Sequence, residues 1–261
     1  MSDLLALDGP VPNTPGVRTG VFATQNPDGG FGEQPALPSE TFTNVHHLLR
    51  GADGRRAGGA DHPDFDRDAC VALLRSCRRP EGGFGNAPGF PCDAWHSHLA
   101  TLTLVALGAR PEREDDLVAH LLACRNRDGG YGNRPGSPSD TFATFRVIGA
   151  LIALGLRPPH SEETLLWLRG LQTEAGGFRY RTDGAESFVD SYPGIGGLCM
   201  RGALPADTEA CVRWITVRQS AAGGFSRAPG APSETTDEGF IAIQALTGCT
   251  CSKGNSTAPG R

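Results

Sequence analysis

The chain has 261 residues, 38% of them hydrophobic and 20% charged, which is the composition of a folded globular protein. Its formal net charge of −5 argues against a general nucleic-acid binder and against docking on an anionic membrane, both of which need a basic face. No apolar run is long enough to span a bilayer, and Met1–Leu5 lacks the basic and apolar segments of a secretory signal, so a reducing, cytoplasmic setting is expected.

In chain order, residues 1–16 are punctuated by Pro and Gly and read as an irregular arm. Val17–Gln25 reads as a short helix entering a Gly-Gly-Phe turn at Phe31. The same Gly-Gly-aromatic triplet returns at Phe84, Tyr131, Phe178 and Phe225, with spacings of 53, 47, 47 and 47 residues. A fixed period of this size marks a repeat protein. The six extra residues of the first period fall in the Gly/Asp/Arg stretch Gly51–Pro63. The glycines permit positive φ and close backbone approach, and the aromatic is expected to be a buried knob between repeats.

Four of the turns lead into Pro-rich links, Pro35–Thr41, Pro88–Ala94, Pro135–Thr141 and Pro229–Thr235. In three of them Ser precedes an acid, which suggests a Ser N-cap with a carboxylate in the first turn. The helices that follow, with cores such as Leu99–Leu107 and Val147–Leu154, are apolar nearly all round and are expected to be buried. Gly108, Gly155, Gly202 and Gly248 stand at expected C′ positions. A second, amphipathic helix then leads to the next turn, about Asp66–Cys77, Glu114–Cys124, Ser161–Gln172 and Ala206–Gln219. Five such units account for residues 17–248 as one domain, and residues 249–261 read as a disordered tail opened by the pair Cys249 and Cys251. Cys70, Cys77, Cys124, Cys199 and Cys211 lie among apolar neighbours and read as small buried hydrophobes rather than disulfide partners.

Helix pairs of this kind can stack as a linear solenoid or close into a double ring. One helix of each pair is apolar all round and the other is not, which favours the ring. The motif Gln-x-x-x-Gly-Gly-aromatic is intact at Gln25–Phe31, Gln172–Phe178 and Gln219–Phe225. It resembles the repeats of squalene-hopene (terpene) cyclases and of protein prenyltransferase β subunits, and Asp128–Gly136 looks especially like the latter. The resemblance implies an all-α fold, an α/α toroid of about five helix pairs around an apolar funnel, with function at the inner-helix N-termini.

Several family signatures are missing. The zinc ligands of the prenyltransferases would fall at Ser187, Val189 and Asp237, so their zinc site is not matched. Arg181 fits a basic diphosphate-binding slot, whereas Gly184, Asp190 and Asp140 do not fit the other slots. The Asp-x-Asp-Asp-Thr motif of protonation-initiated cyclases is matched only at its end, by Asp140-Thr141. Phe31–Gln34 resembles a complement-type thioester motif but lacks its cysteine.

Thr43, His96, Ala143, Asp190 and Asp237 each stand twelve residues after a repeat aromatic, which in a ring would put them at one level. Asp190, Asp237 and His96 are therefore candidate acid–base groups, with Asp93 one helical turn from His96. They are also candidates for a divalent metal, or for ordinary solvated first-turn residues. His98 and His46-His47 read as structural, and Glu40, Asp93, Asp140 and Glu234, nine residues after their aromatics, suit helix capping. Trp95, Phe142, Phe145, Phe188 and Tyr192 are candidate walls for an apolar substrate or simply core, and Arg134 and Arg181 are candidate substrate contacts. The functional expectation is a prenyltransferase- or terpene-cyclase-like enzyme acting on an isoprenoid or similar apolar small molecule. The alternatives are a toroid enzyme of other cyclisation chemistry, and a non-enzymatic module binding an apolar ligand, a partner subunit or another copy of itself.

Overall fold

The computed structural model describes residues 23–32, 64–232 and 236–250. Among these are eight helices: α1 Arg67–Ser76, α2 Ala94–Ala106, α3 Glu114–Ala123, α4 Thr141–Ala153, α5 Ser161–Gly170, α6 Phe188–Cys199, α7 Thr208–Thr216 and α8 Thr236–Thr250. Two hairpins of two-residue strands, β1 Phe84–Gly85 with β2 Cys92–Asp93 and β3 Phe178–Arg179 with β4 Glu186–Ser187, were not foreseen from sequence. The expected arm, the helix start before Ala23, Glu40, Thr43, His46-His47, the Gly51–Pro63 stretch and Glu234 lie outside the described residues. The chain divides into two compact units, residues 1–124 with 150–157, and residues 125–149 with 158–261.

The turn that repeats has one construction. An antiparallel bridge joins the residue six before the aromatic to the aromatic itself, at Gln25–Phe31, Arg78–Phe84, Arg125–Tyr131, Gln172–Phe178 and Gln219–Phe225. Phe31, Phe84, Tyr131 and Phe178 are wholly buried and Phe225 nearly so. A hydroxyl thirteen residues further on, in the inner helix, accepts the aromatic's N–H: Ser97 Oγ for Phe84 at 2.9 Å, Thr144 Oγ1 for Tyr131 at 3.0 Å and Ser191 Oγ for Phe178 at 3.1 Å. Each of these bonds satisfies a buried donor and fixes the hairpin over the helix start. In the last repeat that slot holds Glu238, buried to 1% exposure and bonded to Arg227 Nε at 2.9 Å.

Two devices tie the first four turns to the outer helix that follows each. Gln25 and Gln172 pair their amides with the peptide of an Asp N-cap: Gln172 Nε2 donates to the Asp207 carbonyl at 2.7 Å, and Asp207 N–H donates to Gln172 Oε1 at 2.9 Å. Gln25 does the same with Asp66. Where Gln is replaced by Arg78 or Arg125, the Asp cap is replaced too, by Arg113 and His160, both left-handed at φ 48° and 50°. There Arg78 donates to the Arg113 carbonyl at 2.9 Å, and Arg125 pairs with Glu163. The repeats thus use either an amide clamp with an Asp cap or a guanidinium clamp with a left-handed cap.

The outer helices match their expected bounds within about three residues, and Asp66 and Asp207 cap α1 and α7. The inner helices start earlier than their apolar runs. In α2 and α4 the cap is the acid and not the residue before it, Cys92 or Ser139: Asp93 Oδ1 accepts His96 N–H at 2.9 Å, and Asp140 Oδ1 accepts Ala143 N–H at 2.7 Å. Ser139 instead donates to Asp128 Oδ1 at 2.8 Å, inside the turn. Gly108, Gly155 and Gly202 take positive φ at helix ends, but Gly248 is inside α8. The helix continues to Thr250, so Cys249 is a buried helical residue 3.7 Å from Cys211 Sγ and does not open a tail. Cys199 is disulfide-bonded, against the expectation that it is a free core thiol. Cys70, Cys77, Cys124 and Cys211 are buried free thiols.

Candidate functional site

The inner-helix N-termini carry the ionisable side chains in each unit. In the first unit, the hairpin β1–β2 delivers Asp93 as the cap of α2. Its carboxylate, buried at 6% exposure, accepts His96 Nδ1–H at 2.8 Å. A carboxylate can only accept, so Nδ1 carries the proton and Nε2 is the basic nitrogen. The His96 ring stacks on Trp95 at 6.0 Å and 13°, and Trp95 is 40% exposed. His98 is buried in the same helix.

In the second unit, α4 and α6 place two carboxylates, a phenol and a set of rings together. Asp140 caps α4, and the next residue's N–H, that of Thr141, donates to the Tyr180 carbonyl at 3.1 Å. Burial raises the Tyr180 phenol, and the Asp140 carboxylate facing it raises it further. Ser187 caps α6 by accepting Asp190 N–H at 3.1 Å, and its hydroxyl donates to Asp190 Oδ2. Asp190 is half-buried, and that burial raises its carboxyl above the ordinary 3.8; the Ser187 bond opposes the shift and the nearby Asp140 charge adds to it. Asp140 caps its helix, while burial raises the Asp190 carboxyl and the Asp140 charge acts on it in the same direction.

Aromatic rings adjoin these groups. Phe142 lies 6.3 Å from Tyr180, and Phe145 lies 5.3 Å from Tyr192. Gly196 leaves room for Phe145, since a Cβ there would come within 2.7 Å of its ring. Guanidiniums lie over the rings of the first pair, Arg146 at 5.0 Å over Phe142 and Arg181 at 4.9 Å over Tyr180.

Asp190, Phe142, Arg181 and Tyr192 thus belong to one cluster in the second unit, and Asp93, His96 and Trp95 to one in the first. Phe188 is not a wall: it is 3% exposed and stacks on Trp214 in the core. Arg134 is exposed in the link after Tyr131. The Asp237 side chain lies outside the described residues. Tyr180 and Arg146 were missed in sequence, because neither stands at a position the repeat singles out. Among the described residues no group of three or more His, Cys, Asp or Glu is arranged to hold a metal ion, and no helix is long and apolar enough to cross a membrane. A surface groove of about 640 Å³ in the first unit has Arg67, Arg75 and Arg110 on its walls, and these are paired with Asp68, Glu112 and Glu114 respectively.

The family model described as the prenyltransferase alpha-alpha toroid domain matches residues 10–186 and 94–250. No curated protein matches the chain in sequence. Among solved structures, Candida albicans protein geranylgeranyltransferase-I complexed with GGPP aligns at TM-score 0.74 and 15% identity, over 97% of this chain and 79% of that one. The type II terpene cyclase MstE from Scytonema aligns at TM-score 0.62 and 14% identity, over 95% and 84%. The ent-copalyl diphosphate synthase from Streptomyces platensis aligns at TM-score 0.55 and 14% identity, over 97% of this chain and 49% of that one. At such identities the likeness is one of fold. The repeats, the capped inner helices and the family match lead to one conclusion: the chain belongs to the prenyltransferase alpha-alpha toroid family.

Proposed function

We propose that the chain is an enzyme that cyclises an isoprenoid or similar apolar chain by protonation, with Asp190 as the acid. The observation that carries this reading is the setting of Asp190. Its carboxyl is half-buried, shifted toward the protonated form by burial, and held by the Ser187 hydroxyl within reach of the Asp140 charge. Asp190 gives its proton to a terminal carbon–carbon double bond. The π electrons form the new C–H bond, and the neighbouring carbon becomes a tertiary cation. The next double bond attacks that cation and closes a ring. Loss of a proton to a base or to water ends the sequence, so the product is an isomer of the substrate. The faces of Phe142, Phe145, Tyr180 and Tyr192 stabilise the cationic carbons, and Asp190 regains its proton from solvent.

The family supports this reading, because the solved relatives include a terpene cyclase, one variant of which holds geranylgeranyl dihydroxybenzoate. One observation favours a second reading. Arg146 and Arg181 flank the Phe142–Tyr180 pair, and guanidiniums there suit the leaving group of a prenyl transfer. Incubation with geranylgeranyl diphosphate and, separately, geranylgeranyl dihydroxybenzoate tests both readings by mass spectrometry and phosphate assay. The expected product has the substrate's mass, a new retention time and no released diphosphate. Released diphosphate favours transfer, and saturable binding with no turnover of either compound leaves a binding protein.

A further inference from the structure

Three successive turns present the same slot, and one of them is filled differently. The second glycine of each turn lies against a side chain thirty-six residues after the repeat aromatic. A Cβ on Gly130 would come within 2.7 Å of Trp167, one on Gly177 within 2.6 Å of Trp214, and one on Gly83 within 2.6 Å of the His120 ring. The residue eight after the aromatic closes the slot, as Ser139, Glu186 and Cys92 respectively. Glu186 Oε1 accepts the Trp214 indole N–H at 3.0 Å. In the first unit the indole is replaced by an imidazole, and the acceptor by a thiol: Cys92 Sγ is 3.9 Å from His120 Nδ1. His120 is 7% exposed, and its Nε2 is buried with no hydrogen bond of good geometry.

We propose that His120 makes the joint between α3 and the Gly83 turn acid-sensitive, because a second proton on its ring is a buried cation in a slot shaped for a neutral ring. The groups that face it are few. Asp93 and the Glu81 carboxylate and carbonyl favour the cation, and Arg78 opposes it; the thiols of Cys92 and of Cys124, on its own helix, are neutral, burial holding Cys124 at about 12. Burial is the largest influence, and it lowers the His120 imidazole below its ordinary 6.5. The unfolded chain therefore binds the proton first as pH falls, so the stability of this joint is complete above the ordinary histidine value and is lost as pH drops through and below it.

The test is urea unfolding of the full chain between pH 7.5 and 5.5, for the parent, His120→Trp and His120→Gln, with an NMR titration of the His120 ring in the parent. The tryptophan variant installs the residue that the two sister slots already hold, and glutamine is polar without titrating. The parent's midpoint should fall with acidification more than that of either variant, and His120 should titrate below 6.5. Parallel pH dependences in all three proteins would overturn the proposal. So would a His120 titration at or above 6.5, which decides the matter alone if neither variant folds.

Discussion

Asp190→Asn should abolish most turnover while leaving the protein folded. Asparagine keeps the shape and the bond to Ser187, but it has no proton to give. A positioned general acid contributes a factor of about 10²–10⁴, so kcat should fall by that order with KM little changed. Stability should move the other way. The folded-state carboxyl is raised above its ordinary value, chiefly by burial. Between the ordinary and the raised value the folded state holds more protons, so stability falls as pH rises through that window, and above it the ionised group is a net cost. Asparagine carries no charge, and its urea midpoint at neutral pH should equal or exceed the parent's. A variant that loses activity and stability together would show Asp190 acting as a structural cap neighbour and not as an acid. Activity within threefold of the parent's would remove it from the chemistry.

Gly176→Ala should be severely destabilising, and Gly223→Ala, its counterpart one repeat later, should be mild. Both glycines have positive φ, 105° and 90°. That conformation alone costs an alanine about 1–2 kcal/mol. The difference lies in what the new methyl meets. At Gly176 the Cβ would be 2.3 Å from the carbonyl oxygen of Ala210 in α7, a backbone atom held by a helix. At Gly223 nothing lies within 4 Å. The first substitution must push the turn off the outer helix and lose the Gln172–Asp207 clamp with it, so the loss should reach roughly 4 kcal/mol or more, within the range of exceptional single changes. The second should cost about 1 kcal/mol. Chemical unfolding of the two variants side by side measures the contrast. Equal losses would mean that φ strain alone governs this position and that the close approach to α7 relaxes without cost.

The period was legible because the turn demands it chemically. Only glycine allows the approach seen at Gly176, and only a large ring fills the space that Phe178 occupies, so both recur in the sequence at a fixed spacing. Outer helices were legible to a few residues because their caps, Asp66 and Asp207, are side-chain oxygens with standard roles. The inner helices were read short. Their first turns, Ala94–His98 and Thr141–Arg146, are polar or aromatic and break the apolar run, although Asp93 and Asp140 already cap them. The two hairpins are invisible to periodicity, because a two-residue strand has no alternation to detect.

The site was legible in part for the same reason. Asp93, His96 and Asp190 stand at fixed offsets from their aromatics, so counting finds them. Tyr180 and Arg146 enter the cluster through the packing of one repeat on the next, and no offset marks them. Phe188 shows the converse. An aromatic near an inner-helix start, it reads as a candidate wall, but the ring turns inward onto Trp214. His120 had a signal that went unread: aligned on the repeat, it falls on Trp167 and Trp214, and a titratable ring in a column of indoles stands out. The buried Glu238 had a similar one, as an acid in a column of hydroxyls formed by Ser97, Thr144 and Ser191.

The most direct test of acid-initiated chemistry is the reaction run in deuterium oxide, with the product's isotope content read by mass spectrometry. Protonation of a double bond by Asp190, whose acidic hydrogen exchanges with solvent, predicts one deuterium fixed in a carbon–hydrogen bond of every cyclised product, and none in unreacted substrate. A product with no deuterium would contradict the account, because its cation must then arise by loss of a leaving group, and Asp190 would have no proton to donate in the step that starts the reaction.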